Sequence, residues 1–182
     1  MQYRRAKVAG DSYIFTVVTH ERHPIFRTAE TVALFQTGLN LIKERHPFEI
    51  DAFVILPDHI HAIWTLPEGD ADFSMRWRLV KEAFTKPFER QHQVSVPSAS
   101  RRAKGEQAIW QRRFWEHVDR DDADYAAHVN YIHYNSVRHG LVSAARDWPH
   151  SSFFGWVERG IYEPYWGSDK MPPLPEWAVR GE

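Results

Sequence analysis

The sequence of 182 residues lacks cysteine altogether and carries almost no net charge, −1 at neutral pH. The absence of cysteine excludes disulfide bonds and thiolate metal sites, and it fits a reducing compartment. No apolar run approaches the roughly 20 residues of a membrane-spanning helix. The N-terminus, MQYRRAKVAGD, has no apolar signal core. We therefore expect one soluble, cytoplasmic domain with no membrane partner.

Although the net charge is small, charged residues are distributed unevenly along the chain. Residues 74–120 contain eleven Lys/Arg and five Asp/Glu, a net charge of +6, whereas the rest of the chain contains twelve basic and nineteen acidic residues. A basic segment on a mildly acidic body is compatible with binding to nucleic-acid phosphates. Ordinary solvated helix faces produce the same imbalance, so composition leaves both interpretations open.

Hydrophobic periodicity predicts strands at residues 12–19, 48–56, 59–66 and 109–117, and helices at 29–45, 72–91 and 122–138. Thr28 and an aspartate at 121 or 122 are the expected helix caps, Gly140 is the expected stop, and Pro87 is expected to end or kink the second helix. The order β-α-β-β-α-β-α predicts an α+β fold, an α/β sandwich with a split βαβ unit, in which helices cover one face of an antiparallel sheet.

Two histidines in the segment HIHAIWTL are spaced for a shared ligand. Successive side chains of a strand point to opposite faces, so His59 and His61 project together, about 6–7 Å apart, while Ile60 points to the other face. Two imidazoles on one face can converge on a metal ion. With eleven histidines in the chain, a chance His-x-His pair is also common, so the pair by itself does not establish a site.

The segment HVNYIHYNSVRHG places Tyr131 and Asn135 one helical turn apart, on the same face. Asn135 offers a carbonyl oxygen, which suits a hard cation. A tyrosine beside a metal-bound phosphate can attack phosphorus and form a covalent ester, which splits strand cleavage and rejoining into two reversible steps. Tyr134 is a rival nucleophile, but its neighbour one turn later is Arg138 rather than a ligand.

At these residues the chain resembles the single-tyrosine transposases of the HUH class (histidine, bulky apolar, histidine), an IS200-like family, and specifically the REP-associated tyrosine transposases of bacteria. The resemblance is carried by LPDHIHAIWTLPEGDADFSMRWRLVKEAF (56–84), WQRRFWEH (110–117), DDADYAAHVNYIHYNSVRHGLV (121–142) and DWPHSSFFGWVERGIY (147–162). Two residues depart from the family pattern. Ser136 replaces a proline, and Asp58 replaces an asparagine and is expected to close the turn before His59.

The resemblance implies a ferredoxin-like catalytic domain at residues 1–146, with an aromatic and proline-rich extension at 147–182 packed on it or trailing from it. It implies that His59, His61 and Asn135 hold Mg²⁺ or Mn²⁺ and that Tyr131 is the nucleophile. The implied substrate is single-stranded DNA folded as an imperfect hairpin from a repetitive extragenic palindrome. Cleavage would leave a 5′ phosphate on the tyrosine and a free 3′ hydroxyl, in a monomer or a homodimer.

Basic and aromatic residues are interleaved in the central segment and suit contacts to phosphates and unpaired bases. The candidate contacts are Arg4, Arg5, Arg76, Arg78, Lys81, Arg112, Arg113, Trp110 and Trp115. Three other functions stay open on the sequence. The chain is a hairpin-binding module that no longer moves DNA, a metal-dependent phosphodiesterase that uses water, or an interaction protein with incidental histidines.

Overall fold

The structure is a computed structural model, and it describes residues 10–92, 94, 96–103, 107–118, 121–168 and 170–175. Four described strands form one antiparallel sheet: β1 (Ser12–Val18), β2 (Glu49–Ile55), β3 (His59–Thr65) and β4 (Trp115–Val118). Their order across the sheet is β2-β3-β1-β4. Because β3 is antiparallel to both β1 and β2, those two strands are parallel and β3 is inserted between them. This confirms the predicted split βαβ unit in an α+β fold.

The helices are α1 (Ala29–Arg45), α2 (Phe73–Gln91), α3 (Ala99–Arg102), α4 (Asp122–Arg138) and α5 (Phe153–Glu158). The predicted caps are confirmed: Thr28 Oγ1 accepts a hydrogen bond from the backbone of Thr31, and Asp121 Oδ1 accepts one from the backbone of Asp124. Gly140 follows α4 with a φ of 66°, a left-handed conformation that favours glycine. No helix in the described part of the chain is both long and apolar enough to cross a membrane.

Helices cover both faces of the sheet, which corrects the expectation that they cover one. Phe15 and Trp64 pack in the core beneath α1 and α2, whereas Ile14 and Ile63 belong to a second core beneath α4. Residues of β3 are buried at six consecutive positions. Since neighbouring side chains of a strand point to opposite faces, a strand that is buried throughout needs cover on both sides.

Two predicted boundaries also differ. β4 begins at Trp115 rather than at residue 109, and Trp110 forms an isolated β-bridge with Thr19 outside the strand. Pro87 does not end its helix: α2 continues to Gln91. A proline removes one backbone donor from a helix, and here only the last turn follows it.

The described part of the C-terminal extension covers the free edge of β2. Ile55 N donates to His150 O (2.8 Å), and Ser152 Oγ accepts from Phe53 N (2.8 Å). The indole of Trp156 donates to Asp51 O (3.0 Å). An uncovered edge strand is a template for pairing with other chains. The extension thus satisfies the backbone of the outermost strand of the fold.

His133 of α4 joins this extension to the sheet. Its Nε2 lies 2.8 Å from Ser152 Oγ, its ring packs edge-on against Trp156 and Tyr162, and its side chain is 1% exposed. Burial, together with the positive charge of Arg159, lowers the pKa of His133 from 6.5 to about 3. The imidazole is therefore neutral in the folded protein at every pH near neutrality.

We expect the protein to lose stability on acidification because of His133. Between pH 6.5 and about 3 the unfolded chain binds a proton at this residue and the folded chain does not. The free energy of unfolding should therefore fall by about 1.4 kcal/mol per pH unit in that window from this group alone. The measurement is urea unfolding of the wild type and His133→Gln at pH 7, 6 and 5. The variant should show a shallower pH dependence, and parallel profiles for the two proteins would contradict the assignment.

Candidate active site

His59 and His61 lie on the face of the sheet that α4 covers. Ile60, between them, is in the opposite core, as strand alternation predicts. The two imidazole rings are 4.8 Å apart between centroids and nearly perpendicular, and both side chains are 1% exposed. The two imidazoles therefore form one buried cluster rather than two unrelated surface residues.

The Nδ1 atom of each histidine already has a partner. His59 Nδ1 lies 2.6 Å from Asp58 Oδ1, and His61 Nδ1 lies 2.9 Å from Thr16 Oγ1. An ionised carboxylate only accepts, so His59 donates from Nδ1 and the neutral ring carries its lone pair on Nε2, whereas the Thr16 hydroxyl can donate or accept and fixes the orientation of the His61 ring. Metal-binding histidines are held in this way by a carboxylate, a carbonyl or a water on the other nitrogen.

Asp58 orients His59 in addition to its place in the turn. Its second carboxylate oxygen accepts a hydrogen bond from Arg22 Nη1 (3.2 Å). Burial alone would raise the pKa of the Asp58 carboxyl, but the hydrogen bonds and charges of His59 and Arg22 outweigh burial and hold the pKa below its usual value. The carboxylate is ionised at neutral pH and engaged with both partners. Asp58, which stands where the family has asparagine, therefore places a negative charge beside the imidazole of His59.

Tyr131 of α4 brings its phenol to the histidine pair. The side chain is 1% exposed, and its Oη lies 3.5 Å from His61 Nε2. Arg138, two helical turns later, donates from Nη1 to the same oxygen (3.3 Å). The phenol oxygen thus lies between an imidazole and a guanidinium. A cation at this distance stabilises negative charge that develops on the phenol oxygen.

The rival tyrosine lies elsewhere. Tyr134 packs near the ring of Trp166, with 6.4 Å between ring centroids, and against the backbone of Gly167 in the C-terminal extension. It is three residues after Tyr131, an offset of about 60° around the helix at 3.6 residues per turn, and its ring meets the C-terminal extension. Of the two tyrosines, Tyr131 is the one in contact with a histidine of the pair.

Asn135 lies between Tyr131 of α4 and His139, the residue directly after α4, and both contact the histidines. Tyr131, four residues before it, contacts His61, and His139, four residues after it, packs 5.1 Å from the ring of His59. Residues spaced by four share a helix face, so Asn135 faces the same cluster. Its side chain is fully buried, and neither Oδ1 nor Nδ2 has a hydrogen-bond partner among the described residues.

This arrangement fits a metal ion. A buried amide without a partner costs free energy unless a ligand completes it. A carbonyl oxygen from Asn135 and two oriented imidazoles form a neutral ligand set that leaves coordination positions for phosphate oxygens. The donor chemistry therefore agrees with a divalent cation bound by His59, His61 and Asn135.

Arg76 is not available to DNA, contrary to the prediction. The side chain is 3% exposed and its guanidinium donates to His46 O (3.2 Å), Pro47 O (2.9 Å) and the Asp70 carboxylate (2.7 Å). It ties the start of α2 to the end of α1. A guanidinium satisfied in this way acts inside the protein.

Trp110 is likewise part of the core rather than a base-stacking surface. It is 7% exposed, contacts the ring of Phe84, and donates from its indole to Thr85 Oγ1 (3.2 Å). Arg4 and Arg5 lie outside the described residues. The remaining candidates, Arg78, Lys81, Arg112, Arg113 and Trp115, keep part or all of their side chains at the surface.

A groove of about 690 Å³ lies between α2 and residues 107–114. Basic side chains outnumber acidic ones in its lining: Arg78, Lys81, Lys86, Arg101 and Arg112, against Glu82 and Glu89. Lys81 Nζ lies over the rings of Trp110 and Phe114, 5.5 and 5.4 Å from their centroids. Arg78 projects from α2 and Arg112 from the opposite wall, and both are exposed. A positive groove of this kind attracts the phosphate backbone of a nucleic acid.

Trp115, on the edge strand β4, lies on the same face of the sheet as the histidine pair. It lies directly opposite Thr16 in the pairing of β1 with β4, and Thr16 lies opposite His61 in the pairing of β1 with β3. Paired residues share a sheet face, so Trp115 is on the face of the histidines. Its side chain is 40% exposed and stacks on His117. An indole in this position offers a flat surface for an unpaired base.

Sequence reasoning missed three residues of the cluster. Arg138 contacts Tyr131 within α4, whereas the contact of His139 with His59 depends on where the helix crosses the sheet. Thr16 is remote in sequence from His61, and strand pairing brings them together. The spacing of Arg138, seven residues after Tyr131, was the available signal, because such residues share a helix face.

Comparisons with known proteins give the family of the chain. The chain is 42% identical over 168 residues to the REP-associated tyrosine transposase of Escherichia coli K12, covering 92% of each protein. It superposes with a TM-score of 0.75 on the solved structure of a REP-associated tyrosine transposase bound to a REP hairpin, with 38% identity, over 97% of this chain and 98% of that one. No protein-family model matches the chain. On the identity and coverage of these relatives, the chain belongs to the family of REP-associated tyrosine transposases.

Proposed function

We propose that this transposase cleaves and rejoins single-stranded DNA through a 5′-phosphotyrosine at Tyr131, at hairpins formed by repetitive extragenic palindromes. The observation that carries the proposal is the position of the Tyr131 hydroxyl, buried between His61 Nε2 and Arg138 Nη1. A REP hairpin is bound in the solved structure of the related transposase. The substrate class follows from that relationship.

His59, His61 and Asn135 are the residues that would hold Mg²⁺ or Mn²⁺. A bound divalent cation supplies polarisation of the scissile phosphate and neutralises charge on its oxygens. Asp58 and Thr16 hold the two imidazoles at Nδ1, so Nε2 is the atom of each ring that would ligate the cation. The buried amide of Asn135 gains its missing partner in the same event.

Tyr131 Oη attacks phosphorus, forming the tyrosine–phosphate bond as the bond from phosphorus to the 3′ oxygen breaks. The proton lost by the phenol is balanced by the proton that the departing 3′ oxygen takes up. Arg138 donates to the phenol oxygen and stabilises charge as its proton leaves. One phosphodiester is exchanged for another, so a 3′ hydroxyl can reverse the step and rejoin a strand.

Two observations favour this reaction over its alternatives. A water-using phosphodiesterase needs a general base, and Asp58, the carboxylate in contact with the histidine pair, is engaged by His59 and Arg22. A module that only binds hairpins has no use for the unsatisfied buried amide of Asn135 beside the Tyr131 phenol, because a buried amide without a partner reduces stability when no ligand completes it.

The proposal is tested by incubating the protein with a REP-type hairpin oligonucleotide and Mn²⁺, followed by a denaturing gel. We expect a slowly migrating protein–DNA adduct that does not form in the presence of a chelator. Cleaved DNA without an adduct would indicate hydrolysis by water. Hairpin binding without either product would indicate a non-catalytic module.

The basic groove leads to a separate expectation for affinity. Each phosphate contact that is lost should weaken hairpin binding and reduce the slope of log affinity against log salt concentration by about 1. Arg78→Ala combined with Arg112→Ala should therefore reduce the slope by about 2. Fluorescence anisotropy with a labelled hairpin at several salt concentrations measures it. Lys43→Ala on α1, outside the groove, is the matched control, and equal slopes in all three proteins would exclude this groove as the DNA path.

A further inference from the structure

A second cluster of metal-ligating residues lies apart from the histidine pair. One ligand atom from each of His117, Asp124 and His128 lies within 4.8 Å of those of the other two. The side chains of Asp124 and His128 are 8% and 1% exposed, and that of His117 is 34% exposed. The cluster is therefore an interior group with access to solvent from one side.

Local structure explains why these three side chains meet. His117 is on β4, opposite Ile14, and points to the face that α4 covers. Asp124 and His128 are one turn apart in the first turns of α4, so they share a helix face. His117 Nε2 lies 3.3 Å from one carboxylate oxygen of Asp124, and His128 Nδ1 lies 3.6 Å from the other. The carboxylate is thus between the two imidazoles.

The orientation of His128 suits a ligand rather than a simple buried histidine. Its Nδ1 lies 2.7 Å from the backbone carbonyl oxygen of Asp124, which can only accept a hydrogen bond. Nδ1 therefore carries the proton and the Nε2 atom of the neutral ring carries the lone pair. A backbone carbonyl on the second nitrogen is a common way to hold a metal-binding imidazole.

We propose that His117, Asp124 and His128 form a Zn²⁺ site that fastens β4 to the start of α4. Two imidazoles and one carboxylate with an open fourth position are a typical ligand set for Zn²⁺. Tetrahedral coordination with bonds of about 2.0–2.2 Å places ligand atoms about 3.4 Å from one another, and His117 Nε2 is already 3.3 Å from a carboxylate oxygen of Asp124. The ion would neutralise the buried carboxylate.

The proposed zinc site is close enough to Tyr131 along α4 to hold this nucleophile in position. His128 precedes Tyr131 by three residues, less than one helical turn. A metal that joins β4 to this part of α4 limits the rotation and sliding of the helix against the sheet. It therefore holds the phenol near His61 without contacting substrate. The role of the three residues is positional, and it adds a metal to the one proposed for His59, His61 and Asn135.

The test is the zinc content of four purified proteins after removal of metal, exposure to Zn²⁺ and dialysis. We expect His117→Ala and Asp124→Asn to retain one equivalent of zinc per chain less than the wild type. His23→Ala, an exposed histidine outside the cluster, should retain the wild-type amount. The comparison with the wild type cancels any zinc bound at the histidine pair.

Thermal unfolding provides an independent readout of the same site. Zn²⁺ at about a hundred times its dissociation constant should raise the Tm of the wild type by about 5–10 °C, and both cluster variants should lose most of that increase. Equal zinc content in all four proteins, or an equal increase in Tm, would overturn the proposal. Neither measurement depends on DNA cleavage, so its result is separate from that of the tyrosine mechanism.

Discussion

Tyr131→Phe should abolish covalent attachment of DNA and lower strand cleavage by about four orders of magnitude or more, the scale observed when a catalytic nucleophile is removed. The substitution deletes one oxygen, whose contacts include His61 Nε2 and Arg138 Nη1. The ring remains to fill the core beneath α4, so the folded structure should persist. Single-turnover cleavage of a labelled hairpin, read on a denaturing gel, measures both adduct and product.

Tyr134→Phe is the matched control. It makes the same change three residues later in the same helix, at a ring that packs near Trp166. We expect it to form the adduct at close to the wild-type rate. If Tyr134→Phe lost the adduct and Tyr131→Phe retained it, the nucleophile would be the other tyrosine. Hairpin binding by both variants shows whether DNA still reaches the protein.

His61→Ala should lose most of the cleavage activity, and the activity that remains should no longer depend on Mn²⁺. The imidazole is a proposed ligand and contacts the phenol of Tyr131, so its loss affects both partners of the reaction. We expect activity to fall by more than about a hundredfold, beyond the range of a residue that only orients a ligand. The measurement is cleavage rate against Mn²⁺ concentration, with circular dichroism to confirm folding.

Thr16→Val separates ligation from orientation at the same imidazole. Valine keeps the shape of threonine but removes the hydroxyl that lies 2.9 Å from His61 Nδ1. Loss of such a partner costs about 10- to 100-fold in metal affinity or activity. The variant should therefore need more Mn²⁺ for half-maximal rate while retaining cleavage. A His61→Ala protein that cleaved with an unchanged Mn²⁺ requirement would place the metal elsewhere.

The cluster is assembled within one chain. Tyr131 contacts His61 of its own polypeptide, and His139 packs on His59 of the same polypeptide. In this arrangement the phenol needs no second subunit to reach the histidines. Since α4 crosses beneath the sheet at this point, small movements of the helix change the distance from phenol to imidazole. The proposed zinc site would restrict such movement, because it would join α4 to β4.

Local patterns in the sequence were enough for the elements of the site. Strand alternation placed His59 and His61 on one face, and helical spacing placed Tyr131 and Asn135 on one edge of α4. Both rules depend on backbone geometry that a few neighbouring residues set. The caps at Thr28 and Asp121 followed for the same reason, because the hydrogen bonds that define a cap join residues three apart.

The tertiary structure decided which side chains are exposed and which meet across the chain. Arg76 and Trp110 looked like DNA contacts in a basic, aromatic segment, yet both are buried because partners from other elements satisfy them. Thr16 and Arg138 joined the histidine cluster through strand pairing and the crossing of α4 over the sheet. Burial and convergence depend on contacts between residues far apart in sequence, and no local period records those contacts.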